Sequence, residues 1–478
     1  ITEGHSRPLA RQATPDGHAE RSIASLREYK ELERIVRASF IHIADVHLGY
    51  EQYGVRERFN DFTRAFWEIM DEAVQRRVDF VVIAGDLFNK RAIDARTLTH
   101  AIDGLKKLKE HNIAVVAIEG NHDRSYYRDG MSWLQFLCYQ NYLSLLTPQM
   151  RDGAPVLSHW QHDTMLGSHV DLVGGHLRVY GLPWQGSATL RSLEGMAGAL
   201  EAARADEDAE GIEYRLLLMH TGIEGIVPRI QGLPTMAQFQ QLRPHIDYLA
   251  LGHVHKPYEF EGWIYNPGSP ETWSAEESAW EDRGYYLVEI DTTASESIDP
   301  QKQARCHRAT HLRNNRRPFV RHDLRVEDLS EPDALYERLE DYCRREGPRH
   351  ANDALRPVVQ VHLVGTLAFD AGALEQARME QIVNTHFQPL HARVDNNTND
   401  QDYIPDSGEI DGRDRSTWHE LERRIFEELL ASRDIRYLPQ KELWSVVAAD
   451  LKQKALQREN PVEIAQFLRE KRTELWEK

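Results

Sequence analysis

Cysteine is scarce in this 478-residue chain: Cys138, Cys306 and Cys343 are odd in number and unclustered. That excludes a disulfide framework and a cysteine-built zinc site. Long apolar runs are missing as well, and none comes near the roughly 18 residues that span a bilayer. Residues 1–40 lack the apolar core of a secretory signal, so a cytoplasmic location is expected. Positive charge is in deficit: 58 Lys and Arg against 76 Asp and Glu give a net charge of −18. Such a balance disfavours nucleic-acid binding over the whole surface but leaves room for a local basic track. There are no internal repeats.

The length implies more than one domain. Residues 1–20 are polar and rich in turn formers, and residues 21–37 read as a charged helix. From Phe40 the pattern changes to β–α–β–α–β. The run Phe40-Ile41-His42-Ile43-Ala44 reads as a strand ending in Asp45-Val46-His47-Leu48-Gly49. After a helical stretch, Phe80-Val81-Val82-Ile83-Ala84 ends in Gly85-Asp86-Leu87-Phe88. A second helix, Leu98 to Leu108, leads to Ile113–Ile118, which ends in Gly120-Asn121-His122-Asp123. This alternation implies parallel strands whose loops emerge at one sheet edge, where α/β folds concentrate chemistry.

The following segment reads as more antiparallel, with strands at 176–181, 214–219, 248–251 and 285–290 and a helix near 194–205. Two of these strands end in His220 and in Gly252-His253-Val254-His255. Residues 318–397 read as a small α/β unit, 396–416 as a polar linker, and the remainder as amphipathic helices. Leu421, Ile425, Phe426, Leu429 and Leu430 make one apolar stripe, and Leu443, Val447 and Leu451 a second. Asn460-Pro461-Val462-Glu463 opens a last helix carrying Ile464, Phe467 and Leu468.

Imidazole, carboxylate and amide oxygen donors gathered on five strand-end loops suit manganese, iron or zinc better than calcium or magnesium. One metal would leave several of these groups idle. Seven donors sharing one carboxylate fit two metals about 3.5–4 Å apart, which clamp an in-line displacement at phosphorus. His42, inside a strand, reads as structural. A basic track lies at 302–325, where Lys302, Arg305, Arg308, Arg313, Arg316, Arg317, Arg321 and Arg325 face a single acid, Asp323. It fits a phosphate-binding strip and a solvated linker equally well.

With these motifs the chain resembles the calcineurin-like metallophosphoesterases, and among them the SbcD type of DNA-repair nuclease. His47-Leu48-Gly49, Gly181-Leu182-Pro183 and Asn266-Pro267-Gly268-Ser269 point to that branch. The resemblance covers residues 39–300 well and 318–397 in layout. It implies an α/β (α+β) fold: a four-layer metallophosphoesterase β-sandwich flanked by helices, a small α/β capping domain and a helical C-terminal segment. The domains would be an N-terminal extension (1–38), the nuclease domain (39–300), a basic linker with capping domain (301–397), a linker (398–416) and a C-terminal helical partner-binding segment (417–478).

The resemblance also implies site roles. Asp45, His47 and His255 would hold one divalent metal, and Asn121, His220 and His253 a second, with Asp86 bridging. Manganese would be the native ion, with magnesium, iron or zinc as alternatives. His122 would serve as general acid, with Asp123 an orienter or a structural cap. Arg124, Arg313, Arg316, Arg317 and Arg321 are candidate DNA contacts. The implied partners are DNA, an SMC-like (SbcC-type) or other DNA-translocating ATPase gripped by the C-terminal helices, and a second copy of the chain through Met131–Tyr139. A nucleoid-associated location and a role in repair, end processing or defence go with it. Asn89 stands where the family often has His or Asp, which leaves the balance of exonuclease and endonuclease activity open. A two-metal phosphodiesterase acting on a nucleotide or other small phosphoester is the alternative.

Overall fold

β-branched and aromatic residues dominate the stretch at Phe40, and in the computed structural model it forms β1 (Arg37–Ile43), the centre of a six-stranded sheet. The structure describes residues 35–125, 130–228, 230, 232–295, 306–327, 329–350, 355–400, 423, 426–427, 440–456 and 461–476. They divide into two compact units at position 399/400. The helix expected over 21–37 lies outside these residues up to position 34, and Arg37 already belongs to β1.

After β1 come α1 (Arg56–Arg76), β2 (Phe80–Ile83), α2 (Ala95–Glu110), β3 (Ala114–Ala117), α3 (Trp133–Tyr139) and β4 (Ser144–Leu145). Strands β1 to β4 run parallel. A small hairpin, β5 (Gln149–Arg151) and β6 (Ala154–Val156), precedes β7 (His169–Leu172) and β8 (Leu177–Leu182). Then follow α4 (Thr189–Glu210), β9 (Tyr214–His220), α5 (Met236–Phe239), β10 (Tyr248–Gly252), β11 (Tyr258–Phe260) and β12 (Ile264–Asn266). β13 (Gly284–Asp291) and β14 (His307–Arg313) return to the first sheet as its antiparallel edge, giving the order β14-β13-β1-β2-β3-β4.

The second sheet has the order β11-β12-β10-β9-β8-β7. Its central strands β8, β9, β10 and β12 are parallel, and only the outer pairs, β7 with β8 and β11 with β12, are antiparallel. The antiparallel expectation is therefore corrected for β8, β9 and β10, while β13 is antiparallel to both its neighbours. Parallel neighbours need a crossover, and α4, at 22 residues, supplies one between β8 and β9.

Three cores make four layers. Phe40, Phe80, Val82, Val116, Leu216, Leu218, Tyr248 and Val288 pack between the two sheets. Phe66, Ile69, Met70, Leu105 and Leu137 cover the outer face of the first sheet with α1, α2 and α3. Leu193, Met196, Leu200 and Phe239 cover the second with α4 and α5. Both sheets thus send their parallel-strand C-termini into loops anchored by buried strands.

A separate core belongs to the smaller α/β part: β15 (Phe319–Arg325), α6 (Pro332–Glu346), β16 (Val358–Leu367), α7 (Gln376–Phe387) and β17 (His391–Asp400). The basic stretch expected as a linker is partly sheet. Residues 307–313 pair with β13 along their whole length, so the sandwich extends through Arg313. β17 continues to Asp400, into the stretch expected as linker.

The second compact unit contains α8 (Lys441–Leu456) and α9 (Pro461–Trp476), with Pro at the first position of α9 as expected. Trp444 and Val447 are buried on α8, while Leu443 is 53% exposed. Val447 thus faces inward as expected, with Trp444 in place of Leu443 beside it. Of the stripe at 421–430, only Phe426 lies among the described residues.

Candidate metal centre

The strand-end loops converge because their backbones stay zipped beyond the strands. Asp45 N donates to Gly85 O (3.1 Å), His47 N to Asp86 O (3.1 Å) and Leu48 N to Leu87 O (2.9 Å). Asp45, His47, Asp86 and His253 sit at φ of 52°, 53°, 52° and 83°, a left-handed backbone that non-glycine residues seldom adopt. Glycine makes the approach possible. A Cβ on Gly120 would lie 2.0 Å from Asp86 Oδ1, and one on Gly85, at φ 91°, would lie 2.3 Å from His220 Nδ1.

Asp45, His47 and His255 place one donor atom each within 4.8 Å of one another, as do Asp45, Asp86 and His220. His47 Nε2 and His255 Nε2 are 3.0 Å apart, and His255 Nε2 is 3.9 Å from Asp45 Oδ1. His220 Nε2 lies 3.3 Å from Asp86 Oδ2 and 3.2 Å from Asn121 Oδ1, which also meets His253 Nδ1 at 3.0 Å. The His253 amide donates to both oxygens of Asp45, at 3.0 and 2.9 Å. All seven expected donors thus form one connected cluster.

His122 also belongs to it. Its ring stands edge-on to His47, with centroids 5.0 Å apart, and its amide donates to Asp86 Oδ1 at 2.8 Å. Its Nδ1 donates to Asn89 O at 2.7 Å, leaving Nε2 as the nitrogen free to exchange a proton. The residue 89 position is therefore engaged through its backbone carbonyl, while its side chain accepts from Trp273 Nε1 at 3.2 Å. Asp123 is buried and accepts from the amides of Leu87 (3.3 Å), Phe88 (3.0 Å) and Gly120 (3.0 Å). Of its two expected roles, the contacts are those of a loop cap that ties the Asp86 and Asn121 turns together.

The charges are unevenly placed. Burial works against ionised Asp86, yet the His220 imidazole beside it holds its carboxyl well below the usual range. Burial likewise opposes the charge on His220, and Asp86 overcomes it, raising that ring to about 9. Burial raises Asp45 to about 6 and lowers His253 to about 4. His47 is pushed well down by burial, and its buried Nδ1 has no hydrogen-bond partner among the described residues.

This donor set fits divalent cations. Imidazoles, a shared carboxylate and an amide oxygen gather here, and a cation would take the place of the proton that Asp86 keeps on His220.

Glu277 and Trp273 carry no signal in the spacing of the motifs, yet they touch the cluster. Glu277 Oε1 accepts from His255 Nδ1 at 2.7 Å, and the Trp273 ring lies 5.6 Å from that of His255. Arg91 Nη2 reaches Asn121 O at 3.5 Å.

The arginines expected to contact DNA divide. Arg124 is exposed, 5.6 Å from the Trp184 ring centroid. Arg313 is exposed and pairs with Asp282, and Arg321 pairs with Asp323 at 3.4 Å. Arg316 is half-buried and donates to Thr272 Oγ1 at 3.0 Å. Arg317 is a correction. It is buried against Asp61, at 2.6 and 3.0 Å, with a further bond to Arg356 O, so its charge is spent inside the fold.

A β-sandwich whose strand-end loops gather His, Asp and Asn in this order presents a donor set for divalent cations. Residues 38–257 match the calcineurin-like phosphoesterase family, and this stretch is a calcineurin-like phosphoesterase domain. The chain is similar to the DNA double-strand break repair protein Mre11 of Archaeoglobus fulgidus, 33% identical over 50% of this chain and 52% of the relative. It is similar to the protein of the same name from Saccharolobus solfataricus (29%, over 55% and 64%) and from Methanocaldococcus jannaschii (28%, over 54% and 66%). The chain thus spans between about half and two thirds of the length of these relatives. Among the described residues no helix is long and apolar enough to cross a membrane.

Proposed function

We propose that this protein is a metal-dependent DNA nuclease of the SbcD and Mre11 type that hydrolyses phosphodiester bonds at a two-metal centre. The observation that carries this is the convergence of Asp45, His47, Asp86, Asn121, His220, His253 and His255 within one cluster. It is supported by relatives named as DNA double-strand break repair proteins.

Asp45, His47 and His255 would hold one cation and Asn121, His220 and His253 the other, with Asp86 serving both. When bound, two such cations neutralise charge on the phosphoryl oxygens and activate water for in-line attack. Manganese suits the mixed imidazole and oxygen donors.

His122 gives the leaving 3′ oxygen its proton from Nε2. The Asn89 carbonyl on Nδ1 holds the ring in place and leaves Nε2 to make the transfer. Asp123 positions His122 and Asn121 by fixing the turn that carries them. Arg124, Arg313, Arg316 and Arg321 are the remaining candidates for phosphate contact.

The protein works with an SMC-like ATPase held by the C-terminal helices, and exposed Leu443, Val446 and Leu468 supply an apolar surface for it. Met131 and Tyr139, exposed at the ends of the segment around α3, support self-association. The cell compartment that follows is the cytoplasm, at the nucleoid.

Metal-free full-length protein, given Mn2+ and linear duplex DNA, is the test. Cleavage that needs the metal is expected. Hydrolysis of bis-p-nitrophenyl phosphate with DNA left intact would replace the nuclease by a small-phosphoester enzyme.

A further inference from the structure

Among the four histidines expected to hold metal, the ring nitrogens opposite or beside the metal position have different partners. His220 Nδ1 donates to a backbone carbonyl, Ala84 O, at 2.7 Å. Among the described residues His47 Nδ1 has no hydrogen-bond partner, and His253 Nδ1 faces Asn121. His255 alone has a carboxylate there, Glu277 Oε1 at 2.7 Å.

Glu277 is itself fixed. It is buried on the short helical turn Ala275–Ala279, and its Oε2 accepts from Trp273 N at 3.1 Å and Arg283 Nη2 at 2.7 Å. Arg283, also buried, spends its Nη atoms on the carbonyls of Ser269, Glu271 and Glu277. The carboxylate therefore has one partner on Oε1 and two on Oε2, which fix its orientation.

A carboxylate on one ring nitrogen forces hydrogen there and a lone pair on the other, which raises the donor strength of the imidazole. We propose that Glu277 is a positioning residue that aims His255 Nε2 at the cation position of Asp45 and His47. One of the two metal positions depends on it and the other, on His220 and His253, does not. This rests on the two-metal site proposed above.

Metal-free full-length protein is titrated with Mn2+, followed by calorimetry and by electron paramagnetic resonance. The wild type is expected to take two ions with an exchange-coupled spectrum. In E277Q one ion keeps its affinity and the other weakens by about 10–100-fold, the usual effect of losing such a partner. At one equivalent the spectrum is then that of an isolated ion.

R283M leaves the Glu277 carboxylate to His255 and the Trp273 amide and is expected to weaken the same ion less than E277Q does. E277Q/R283M removes both buried charges together, and it is expected to repeat the E277Q loss if E277Q alone does not fold. In the zinc-loaded wild type, 15N shifts are expected to show His255 bound through Nε2 with hydrogen on Nδ1.

Wild-type affinity for both ions in the Glu277 variants overturns the proposal. So does equal weakening of both ions, an R283M loss matching E277Q, or His255 bound through Nδ1. A wild type that takes up no Mn2+ overturns the two-metal site itself, and this role with it.

Discussion

Replacing Arg317 with alanine is expected to lower stability rather than DNA affinity, although it lies in the most basic stretch of the chain. Its guanidinium makes two bonds to Asp61, at 2.6 and 3.0 Å, and one to Arg356 O at 2.7 Å. It thereby joins α1 of the sandwich to the segment entering β16. Breaking a buried ion pair from one side costs about 3–5 kcal/mol. Asp61 retains Arg58 at 2.7 Å and Arg64 at 2.9 Å, so its charge is not left bare. That places the expected loss near the lower end, about 3 kcal/mol. At about 2 °C per kcal/mol for a unit of this size, Tm falls by about 6 °C. Arg321→Ala is the contrast, because its pair with Asp323 is solvent-screened and worth at most about 1 kcal/mol. Scanning calorimetry gives Tm, and fluorescence anisotropy with a labelled duplex at fixed salt gives DNA affinity. An R317A protein with wild-type Tm and weakened DNA binding would refute this account of Arg317.

Three further outcomes follow from the same contacts. His122→Ala is expected to keep both metals and lose about 10²–10⁴-fold in cleavage rate, whereas Asn121→Ala weakens Mn2+ binding itself; calorimetry beside a cleavage assay separates the two. His42 is buried between Tyr248 (3.0 Å) and Leu251 O (3.1 Å), and burial lowers it from 6.5 to about 3. The unfolded chain therefore takes the proton first. Stability is full above about pH 6.5 and falls toward pH 3 by about 1.4 kcal/mol per pH unit, a slope that urea unfolding at a series of pH values should find reduced in His42→Gln. A chain ending at Ser407 is expected to lose co-purification with its ATPase while still cleaving DNA, and an unchanged yield of complex would move the docking surface off α8 and α9.

Much of the centre was legible because strand ends leave a compact signature. A buried run followed at once by Asp, Asn or His says both where the backbone stops and which donor it delivers. Asp45, Asp86 and Asn121 follow parallel β1, β2 and β3, and that order alone predicts one shared edge. Orientation in the second sheet was harder, because β9 and β10 are apolar runs whose periodicity does not report direction. Only the length of α4 between β8 and β9 would have pointed to a parallel crossover. Glu277 and Arg317 show the other limit. Local pattern gives a residue's charge but not which partner outside its own segment, here His255 for Glu277 and Asp61 for Arg317, it will be buried against.

The left-handed backbone at Asp45, His47, Asp86 and His253 bears on whether metal builds the site or finds it built. Such conformations cost about 1–3 kcal/mol each and persist only where surroundings over-determine them. Here those surroundings are protein. Asp45 N, His47 N and Leu48 N bond to Gly85, Asp86 and Leu87, Asn89 N returns to Leu48 O at 3.0 Å, and Asp123 caps the neighbouring turn. None of these bonds needs a cation, so the strain is held before metal arrives. Added Mn2+ should then stabilise by mass action alone, about 2.7 kcal/mol at a hundredfold excess over Kd, without ordering the loops. Amide hydrogen exchange decides it. Amides at 45–48 and 85–89 should be as protected as the strand cores in chelator, and gain no more than the global increase when metal is added. Rapid exchange there without metal, lost on adding Mn2+, would mean that the cation folds its own site.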